Sequence, residues 1–417
     1  METIEKDSAI ATYSIDWNTA AETAIATGLN EIPVVGGILA GLLDIFWPQS
    51  EVDVWAEIKD RVDAEINNAI SQAVFTNVQA VLGSLASNDG LIGELNTFLG
   101  SISKTNPNGQ DPRGTWDAAN GAFVNDGGVF HQSGYEVALL PLFAQKANLH
   151  LTLLRDGVQM GFCDDSELTK QIGIYTSYAQ QQIQAGLSAR RQQNPNSFNY
   201  QNQFARFLQI NVGNYLALWP YFDPKQYPPP VTDLPVSAEI FYTITETMGP
   251  EYASNDYAPL GALPGDVTDI QIYWLQDTED DYNDIEGTQV DYQSGSQGYT
   301  GILVDGAPPQ NGATDPHNSY FTYFIHSVGV TSNNPVTSVQ GVYDTDGGTY
   351  CVDFVYADGS STGQIPQQAG NSGYTANFTI TPPAGYRLSS VWVPAKWGFY
   401  NMAQDMVFGF RLKPSSL

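Results

Sequence analysis

The sequence predicts a multidomain α + β protein, in which an N-terminal α-helical bundle around one central apolar helix is followed by an antiparallel β-prism of three sheets. Helical periodicity fills residues 1–228. Alternating Val, Ile, Tyr and Thr segments between Gly, Asp and Asn turns fill residues 238–417. The proline-rich residues 229–237 indicate a stiff linker between the two domains.

Long amphipathic patterns predict the helices of the first domain. One continuous helix is expected over Val54–Leu82, because apolar residues recur there at every fourth position and charged residues occupy the other face. Leu168–Arg191 and Tyr200–Trp219 have similar helical patterns. The segment QNPNS at Gln193–Ser197 is expected to break the chain between these two helices.

The stretch ALLPLFAQKANLHLTLLRDGVQMG, Ala138–Gly161, differs from these helices because its apolar residues go almost all the way round. Such a helix is buried at the centre of a bundle or in a membrane. Its length of ~36 Å is enough to cross a hydrocarbon core of ~30 Å. Asn148 and His150 need partners inside a bundle, or would line a wet pore. From the residues alone, a core helix and a membrane-capable helix both remain open.

Three weakly similar β units follow one another in the second domain. Their central segments are VTDIQIYW from Val267, VTSVQGVY from Val336 and LSSVWVPA from Leu388. Each segment has a strand-like run before it, and a turn and a second strand after it. The repeat predicts three small sheets around a pseudo-threefold axis, although β-rich sequences also resemble one another by chance.

The composition and the motifs exclude several classes of function. The net charge of −29, from 45 acidic and 16 basic residues, argues against nucleic-acid binding. Two cysteines are too few for a disulfide framework, and the four histidines form no close metal pattern. Phosphate-loop and dinucleotide motifs are absent. We therefore expect no enzyme, no cofactor and no metal. The acidic stretch Asp277–Glu286 fails the EF-hand pattern and is expected to be a solvated hairpin loop.

The central stretch also carries a family resemblance. YEVALLPLFAQKANLHLTLLRDG, residues 135–157, resembles the central-helix block of the three-domain insecticidal crystal (Cry) δ-endotoxins of Bacillus. The resemblance covers most of the chain, and the sequence stops where the third, jelly-roll domain of that family would begin. Other segments resemble the family in the same order: its second, sixth and seventh helices at 30–48, 169–187 and 200–228, and strands of its second domain at 238–245, 383–393 and 408–417.

The resemblance implies a pore-forming toxin, in which a hairpin of the fourth and fifth helices enters the target-cell membrane. It places the fourth helix near Thr115–His131, a short loop at Gln132–Glu136 and a lipid-facing central helix at Val137–Gly161. The candidate membrane-insertion residues are Leu139, Leu140, Phe143, Leu149, His150, Leu151, Leu153 and Leu154, and the candidates in the partner helix are Trp116, Phe123, Val129 and Phe130.

The resemblance also implies that loops of the β-prism bind a cell-surface protein or glycan receptor. The expected loops are the three hairpin tips at Asp277–Glu286, Asp344–Thr349 and Pro394–Gln404. Exposed aromatic residues in the third tip suit protein or sugar contacts, or fold back onto the prism. The candidate receptor-binding residues are Asp281, Tyr282, Asp346, Trp397, Phe399 and Tyr400.

The expected partners are the receptor, the target-cell membrane and further copies of the chain, which would be a monomer in solution and a homo-oligomer on the membrane. The N-terminus has no basic segment followed by an apolar one, so no signal peptide is expected. We expect a soluble or crystalline, parasporal protein that is made in the cytoplasm and then released. Two alternatives stay open: a β-prism carbohydrate-binding lectin with a helical oligomerisation domain, and a storage or crystal protein without toxicity.

Overall fold

A computed structural model gives the structure of the chain. The described residues fall into two compact units. The helical unit takes those within Ile15–Gln193 and Phe204–Ser237, and the β unit takes those within Asn194–Gln203 and Ala238–Lys413. The structure describes residues 17–30, 35–46, 54–65, 71–85, 90–106, 108–125, 128–193, 195, 198–232, 234–235, 237–247, 265–279, 282–344, 349–367, 375–393 and 406–412.

The helices bury their apolar faces in one continuous core. The last of them passes through a π-helical turn at Gln209–Gly213 and ends in a 3-10 turn at Trp219–Phe222. The α-helices are α1 (Trp17–Asn30), α2 (Gly37–Phe46), α3 (Val54–Glu65), α4 (Gln72–Leu85), α5 (Leu91–Ile102), α6 (Pro112–Asn125), α7 (Leu140–Met160), α8 (Asp165–Gln193), α9 (Phe198–Leu208) and α10 (Asn214–Leu218).

Helix α7 is the central helix of this unit. Every residue from Leu140 to Gly157 is buried, and α2, α3, α6, α8 and the segment around Trp219 pack against it. Pro141 lies in its first turn, where a missing N–H interrupts no helical hydrogen bond. The predicted bundle around one central apolar helix is confirmed.

Two helix predictions are wrong in their extent. The single helix expected over Val54–Leu82 is two helices, since α3 ends at Glu65 and α4 begins at Gln72. The hydroxyl oxygen of Ser71 accepts the N–H of Val74 at 3.3 Å, so it caps a new helix. Helix α6 ends at Asn125 rather than at His131, because the sequence NDGG that begins at Asn125 supplies residues that terminate helices.

The β unit contains three antiparallel sheets, as predicted. Their strand orders are β4-β3-β2-β6-β5, β8-β7-β9 and β1-β11-β10. The strands are β1 (Ile240–Thr243), β2 (Val267–Asp277), β3 (Tyr282–Tyr292), β4 (Gly295–Gly301), β5 (Thr314–Asp315), β6 (Asn318–Gly329), β7 (Val336–Asp344), β8 (Thr349–Tyr356), β9 (Thr375–Ile380), β10 (Tyr386–Trp392) and β11 (Val407–Leu412).

Each sheet combines strands from two sequence repeats. The strand before the second repeat, β6, pairs with β2 of the first, and the strand before the third, β9, pairs with β7 of the second. Strand β1, which precedes the first repeat, pairs with β11, which follows the third. The beginning and the end of the unit are thereby joined through backbone hydrogen bonds.

Within the described part of the β unit, side chains and no further strand cover the outer edge of β10. The amide of Gln297 donates to the carbonyl oxygen of Val391 at 2.9 Å and accepts the N–H of Val391 at 3.4 Å. The hydroxyl of Thr288 donates to the same carbonyl at 2.9 Å, and that of Tyr292 donates to the carbonyl of Ser389 at 2.6 Å. These bonds satisfy the backbone of an edge strand and tie two sheets together.

Candidate functional site

The predicted membrane-insertion residues form the buried centre of the helical unit. Leu139 immediately precedes α7, and the others lie within it. His150 is 3% exposed. The apolar members are at most 1% exposed: Leu139, Leu140, Phe143, Leu149, Leu151, Leu153 and Leu154.

One face of α7 carries a buried polar stripe, formed by Gln145, Asn148, Thr152 and Asp156. The side-chain oxygen of Asn148 accepts the indole N–H of Trp219 at 2.7 Å, and its amide donates to Gln145 at 3.0 Å. The hydroxyl of Thr152 donates to the carbonyl of Asn148 at 2.7 Å. The spacing of three and four residues that puts these side chains on one face is visible in the sequence, but the stripe was not predicted.

Asp156 is the ionisable member of the polar stripe. Its carboxylate accepts the backbone N–H of Gly36, just before α2, at 3.1 Å. A β-carbon at Gly36 would lie 2.8 Å from side-chain carbons of Leu99 and Ile102, and the backbone there has a φ of +84°, so only glycine brings its N–H this close. Burial raises the pKa of Asp156 to about 7, although Arg155 and the Gly36 bond oppose the shift.

The side of α7 that carries His150 holds a second polar cluster. Nδ1 of His150 lies 2.6 Å from the hydroxyl of Tyr175 on α8, and Nε2 lies 2.8 Å from the side-chain oxygen of Asn120 on α6. The ammonium of Lys146 donates to the same tyrosine hydroxyl at 2.8 Å. The ring of Phe123 stacks on the imidazole at 4.6 Å. Burial, and next Lys146, lower the pKa of His150 well below its ordinary value of 6.5.

The beginning of helix α6 packs closely against the end of helix α7. The indole N–H of Trp116 on α6 donates to the carbonyl oxygen of Leu153 on α7 at 2.9 Å. The indole also fills the space beside Gly157, where an added β-carbon would lie 2.6 Å from three of its ring atoms. With Asn120 and Phe123 on the next turns of α6, these contacts hold the two helices together along several turns.

The predicted partner-helix residues lie only partly on α6. Trp116 and Phe123 are on α6 and are 2% and 1% exposed. Val129 and Phe130 were expected on the same helix, but they lie in the turn beyond its end at Asn125. Phe130 is buried and Val129 packs against the same core.

The predicted receptor-binding residues lie at or beyond the limits of the described structure. Tyr282 begins β3, and its side chain is outside the description. The remaining five, Asp281, Asp346, Trp397, Phe399 and Tyr400, lie outside the described residues.

The prediction of a solvated loop over Asp277–Glu286 is wrong for most of the stretch. Asp277 ends β2, and Asp284 and Glu286 lie in β3. These three carboxylates are only 1% to 4% exposed. Asp277 pairs with Tyr282 at the end of the hairpin, and the described Thr278 and Glu279, which follow β2, are exposed. Antiparallel pairing of β2 with β3 draws the acidic residues into the strands.

The described residues contain neither a cluster of metal-binding side chains nor a helix that could span a membrane. No group of three or more His, Cys, Asp and Glu side chains among them is arranged to hold a metal ion. No helix in the described part of the chain has both the length and the apolarity needed to cross a membrane.

Comparison with known proteins identifies the helical region. The family model for the delta endotoxin N-terminal domain matches residues 24–223. The pesticidal crystal protein Cry26Aa of Bacillus thuringiensis subsp. finitimus is 28% identical over 255 residues, which are 56% of this chain and 22% of that relative. The chain therefore spans about a fifth of that curated relative.

Solved structures share the fold of nearly the whole chain. The mosquito-larvicidal Cry4Aa toxin from Bacillus thuringiensis superposes with a TM-score of 0.71 at 18% identity, over 95% of this chain and 74% of that one. PirB superposes with a TM-score of 0.64 at 15% identity, over 95% of this chain and 94% of that one. The match to the family model identifies residues 24–223 as a delta endotoxin N-terminal domain. The similarity to a Cry relative extends over 56% of the chain, and the solved Cry4Aa toxin shares the fold of nearly all of it.

Proposed function

We propose that the chain is a pore-forming toxin whose β unit binds a protein or glycan receptor on a target cell and whose α6 and α7 enter the membrane as a hairpin. The proposal assigns the helical function to residues 1–228 and receptor binding to residues 238–417, joined by the linker at 229–237. Its general class is supported by relatives described as pesticidal crystal proteins. The observation that supports a hairpin of α6 and α7 is the close packing of the Trp116 indole into the space beside Gly157.

A helix can leave a bundle because it satisfies its own backbone hydrogen bonds. Lipid can replace the apolar contacts that Leu149, Leu151, Leu153 and Leu154 make in the core, since hydrocarbon solvates these side chains as well as a protein interior does. The contacts of α6 with α7 can persist during this transfer. The contacts of α7 with α2 and α8 must break.

The polar stripe of α7 determines which face of the inserted hairpin avoids the lipid. Gln145, Asn148, Thr152 and Asp156 are costly to expose to hydrocarbon, so they would face water or another copy of the chain. The leucine side chains of α7 that α6 does not cover would meet the lipid. The proposed pore is therefore a homo-oligomer, formed on the membrane from chains that are monomers in solution.

The receptor-binding surface of the proposal consists of the hairpin tips around Asp281 and Tyr282, Asp346, and Trp397 with Phe399 and Tyr400. The short β2-β3 turn supports this assignment, because Thr278 and Glu279 are exposed there while neighbouring acidic residues are buried. We further propose that the protein accumulates in soluble or crystalline form before release. The mechanism requires no catalytic step and no cofactor.

A reversible cross-link tests hairpin release. A β-carbon added to Gly186 of α8 would lie 2.8 Å from Cγ1 of Val137, just before α7. The variant Val137→Cys/Gly186→Cys, made with Cys163→Ser to remove a half-buried thiol, should form a disulfide that holds α7 to α8. Dye release from liposomes that carry target-cell membrane extract should be lost in the oxidised protein and return on reduction.

The matched control is a cross-link in the β unit. The hydroxyls of Thr288 and Thr300 lie 3.1 Å apart on β3 and β4, so Thr288→Cys/Thr300→Cys should form a disulfide and leave dye release unchanged. Equal release by the oxidised and reduced Val137/Gly186 variant would contradict hairpin release. Saturable glycan binding without dye release from any liposome would instead support a lectin.

A further inference from the structure

The polar contacts of α7 with α8 are concentrated in one place. Asn120, Lys146, His150 and Tyr175, here called the His150 cluster, connect three helices through three hydrogen bonds of 2.6 to 2.8 Å. Lys146, His150 and Tyr175 are 8%, 3% and 4% exposed. The remaining contacts between α7 and α8 include the edge-to-face packing of Phe143 against Tyr175, which does not depend on protonation.

The hydrogen bonds of the cluster require a neutral imidazole. The side-chain oxygen of Asn120 has no hydrogen to give, so Nε2 of His150 donates to it. The Tyr175 oxygen accepts a hydrogen from the Lys146 ammonium. Its own hydroxyl hydrogen then points at Nδ1 of His150, which accepts it. The two ring nitrogens thus have different roles, and His150 carries its single hydrogen on Nε2.

A proton added to His150 would reverse one of these bonds. It can bind only at Nδ1, which would then present N–H to a hydroxyl that already presents O–H. The tyrosine would have to turn its hydrogen away while accepting from two cations, Lys146 and the imidazolium. The ring of Phe123 offers a protonated imidazole a cation–π contact, but a fully buried charge loses much more by desolvation.

The charged and titratable surroundings of His150 are few among the described residues. Helix α7 itself contributes Lys146, which acts on the imidazole directly. Helix α8 contributes Tyr175, whose pKa burial raises above its ordinary range. Helix α6 contributes the uncharged side chains of Asn120 and Phe123. No described carboxylate contributes to the pKa shift of His150 or offsets the effect of Lys146.

We infer that the His150 cluster is a proton-sensitive clamp that holds α8 against the α6–α7 hairpin, and that protonation of His150 opens it. The use of the clamp in pore formation rests on the proposed function. The clamp itself is a property of the folded helical unit and can be tested without a membrane.

The direction of the pH effect follows from the difference between folded and unfolded imidazole. The unfolded chain takes up a proton near pH 6.5, whereas the folded cluster excludes it until a lower pH. The contribution of His150 to stability is therefore complete above pH 6.5. It is lost as the pH falls below that value, by up to about tenfold in the folding equilibrium constant per pH unit.

Histidine NMR tests the clamp in the unmodified protein. The chain has four histidines, so selective 15N and 13C labelling gives few ring signals to assign. We expect His150 to be the Nε2–H tautomer and to titrate well below pH 6.5. The variant Lys146→Met should move this titration upward, because it removes the neighbouring cation. An Nδ1–H tautomer, or titration near pH 6.5 with α8 still in place, would overturn the proposal.

A matched pair of variants tests the consequence for stability. His150→Gln keeps a hydrogen-bond donor for Asn120 but cannot titrate. Its free energy of unfolding should therefore lose the part of the pH dependence below pH 6.5 that His150 causes in the wild type. His326→Gln removes an exposed histidine of β6 and should leave the helical unit as pH-dependent as before. Urea unfolding followed by far-ultraviolet circular dichroism measures both. Parallel pH profiles of His150→Gln and wild type would contradict the clamp.

Hydrogen exchange locates the opening and separates this proposal from the previous one. On acidification, peptides within 165–193 should exchange faster in wild type than in His150→Gln, after correction for the intrinsic effect of pH. If these changes occur but no liposome is permeabilised, the clamp stands and the pore-forming function fails. If dye is released while His150→Gln and wild type exchange identically, the pore stands and the clamp fails.

Discussion

The helical unit and the β unit hold their backbones in different ways. Each helix of the first unit closes its own hydrogen bonds, and its neighbours are reached through side chains such as Trp116, Asn148 and His150. In the β unit the backbone of one strand depends on another, and even the outer edge of β10 depends on Gln297 and Thr288. A helix can therefore separate with its backbone satisfied, whereas a strand cannot. This difference indicates that conformational change begins among the helices.

The largest expected effect concerns the buried carboxyl of α7. The pKa of Asp156 is about 7 in the folded unit and ~3.9 in an unfolded chain. Because the folded pKa is raised, the protonated form stabilises the unit below pH ~4, and this stability is lost as the pH rises to ~7. Asp156→Asn should gain stability over wild type by roughly 1.4 kcal/mol per pH unit across that range, or about 4 kcal/mol in all.

Urea unfolding at pH 4.5, 6 and 8 measures this gain. Asp117→Asn is the control, because Asp117 is an exposed carboxyl on α6 that pairs with Arg113 at 3.2 Å. A constant difference between Asp156→Asn and wild type at the three pH values would show that burial of Asp156 does not strain the bundle.

The second effect concerns the hydrogen bond by which the polar stripe of α7 is joined to Trp219 of another helical segment. Asn148→Leu removes the acceptor of the buried Trp219 indole N–H, and should cost about 3 kcal/mol of unfolding free energy because that donor and Gln145 lose their partner. Adding Trp219→Phe should recover part of the loss, giving a coupling of about 1 kcal/mol in a double-mutant cycle. Strict additivity of the two substitutions would remove this bond from the account.

A pair of glycine substitutions compares the tolerance of the two units directly. A β-carbon at Gly341 on β7 would overlap the backbone carbonyl oxygen of Cys351 and lie 2.7 Å from Phe378. At Gly157 the three atoms nearest to it would be ring atoms of Trp116, at 2.6 Å. Gly341→Ala should cost about 3 kcal/mol by overpacking. Gly157→Ala should cost about 1 kcal/mol of unfolding free energy, because the higher helix propensity of alanine offsets part of the clash with the indole.

Differential scanning calorimetry, with the two units assigned by their separate transitions, gives both costs. Gly100, on α5, has no atom within 4 Å of an added β-carbon, so Gly100→Ala is the control that should not destabilise the protein. A greater loss for Gly157→Ala than for Gly341→Ala would reverse the ranking of the two units.

The smallest expected effect is at the edge of β10. Gln297→Ala removes two hydrogen bonds to Val391 and should cost about 1 kcal/mol. It should also increase light scattering with protein concentration, since an uncovered strand edge pairs with other chains. Gln289→Ala removes the 2.9 Å hydrogen bond from its amide to the nearby Asp291 and should do neither. Unchanged scattering of Gln297→Ala would mean that the edge is protected by other groups.

The sequence predicted features that depend on local pattern. The apolar circumference of α7, the break before α9 and the strands beginning at Val267 and Val336 all have periodic or turn-forming signals, and the structure confirms them. Periodicity failed at Ser71, because the apolar stripe continues across a position where a hydroxyl starts a new helix. The prediction of a solvated loop failed at Asp284 and Glu286, because an acidic composition indicates exposure unless the strand partners of the residues are known.

Contacts between distant residues were beyond prediction from one sequence. The pairing of β1 with β11 joins Ile240 to Phe410, and nothing local to either strand specifies it. The partners of His150 on α6 and α8 depend in the same way on how the helices pack. The spacing in the sequence places the side chains of the polar stripe on one face of α7. It does not indicate that Gly36 and Trp219 are their partners.

Hydrogen exchange of the membrane-bound protein tests most directly whether the helices separate while the sheets stay closed. The account predicts that on liposomes the peptides covering 112–125 and 140–160 stay protected together, those covering 165–193 lose protection, and those of β2, β3, β7 and β11 do not change. Loss of protection in these strands before or together with α8, or bound protein that releases dye with every helix unchanged, would contradict it.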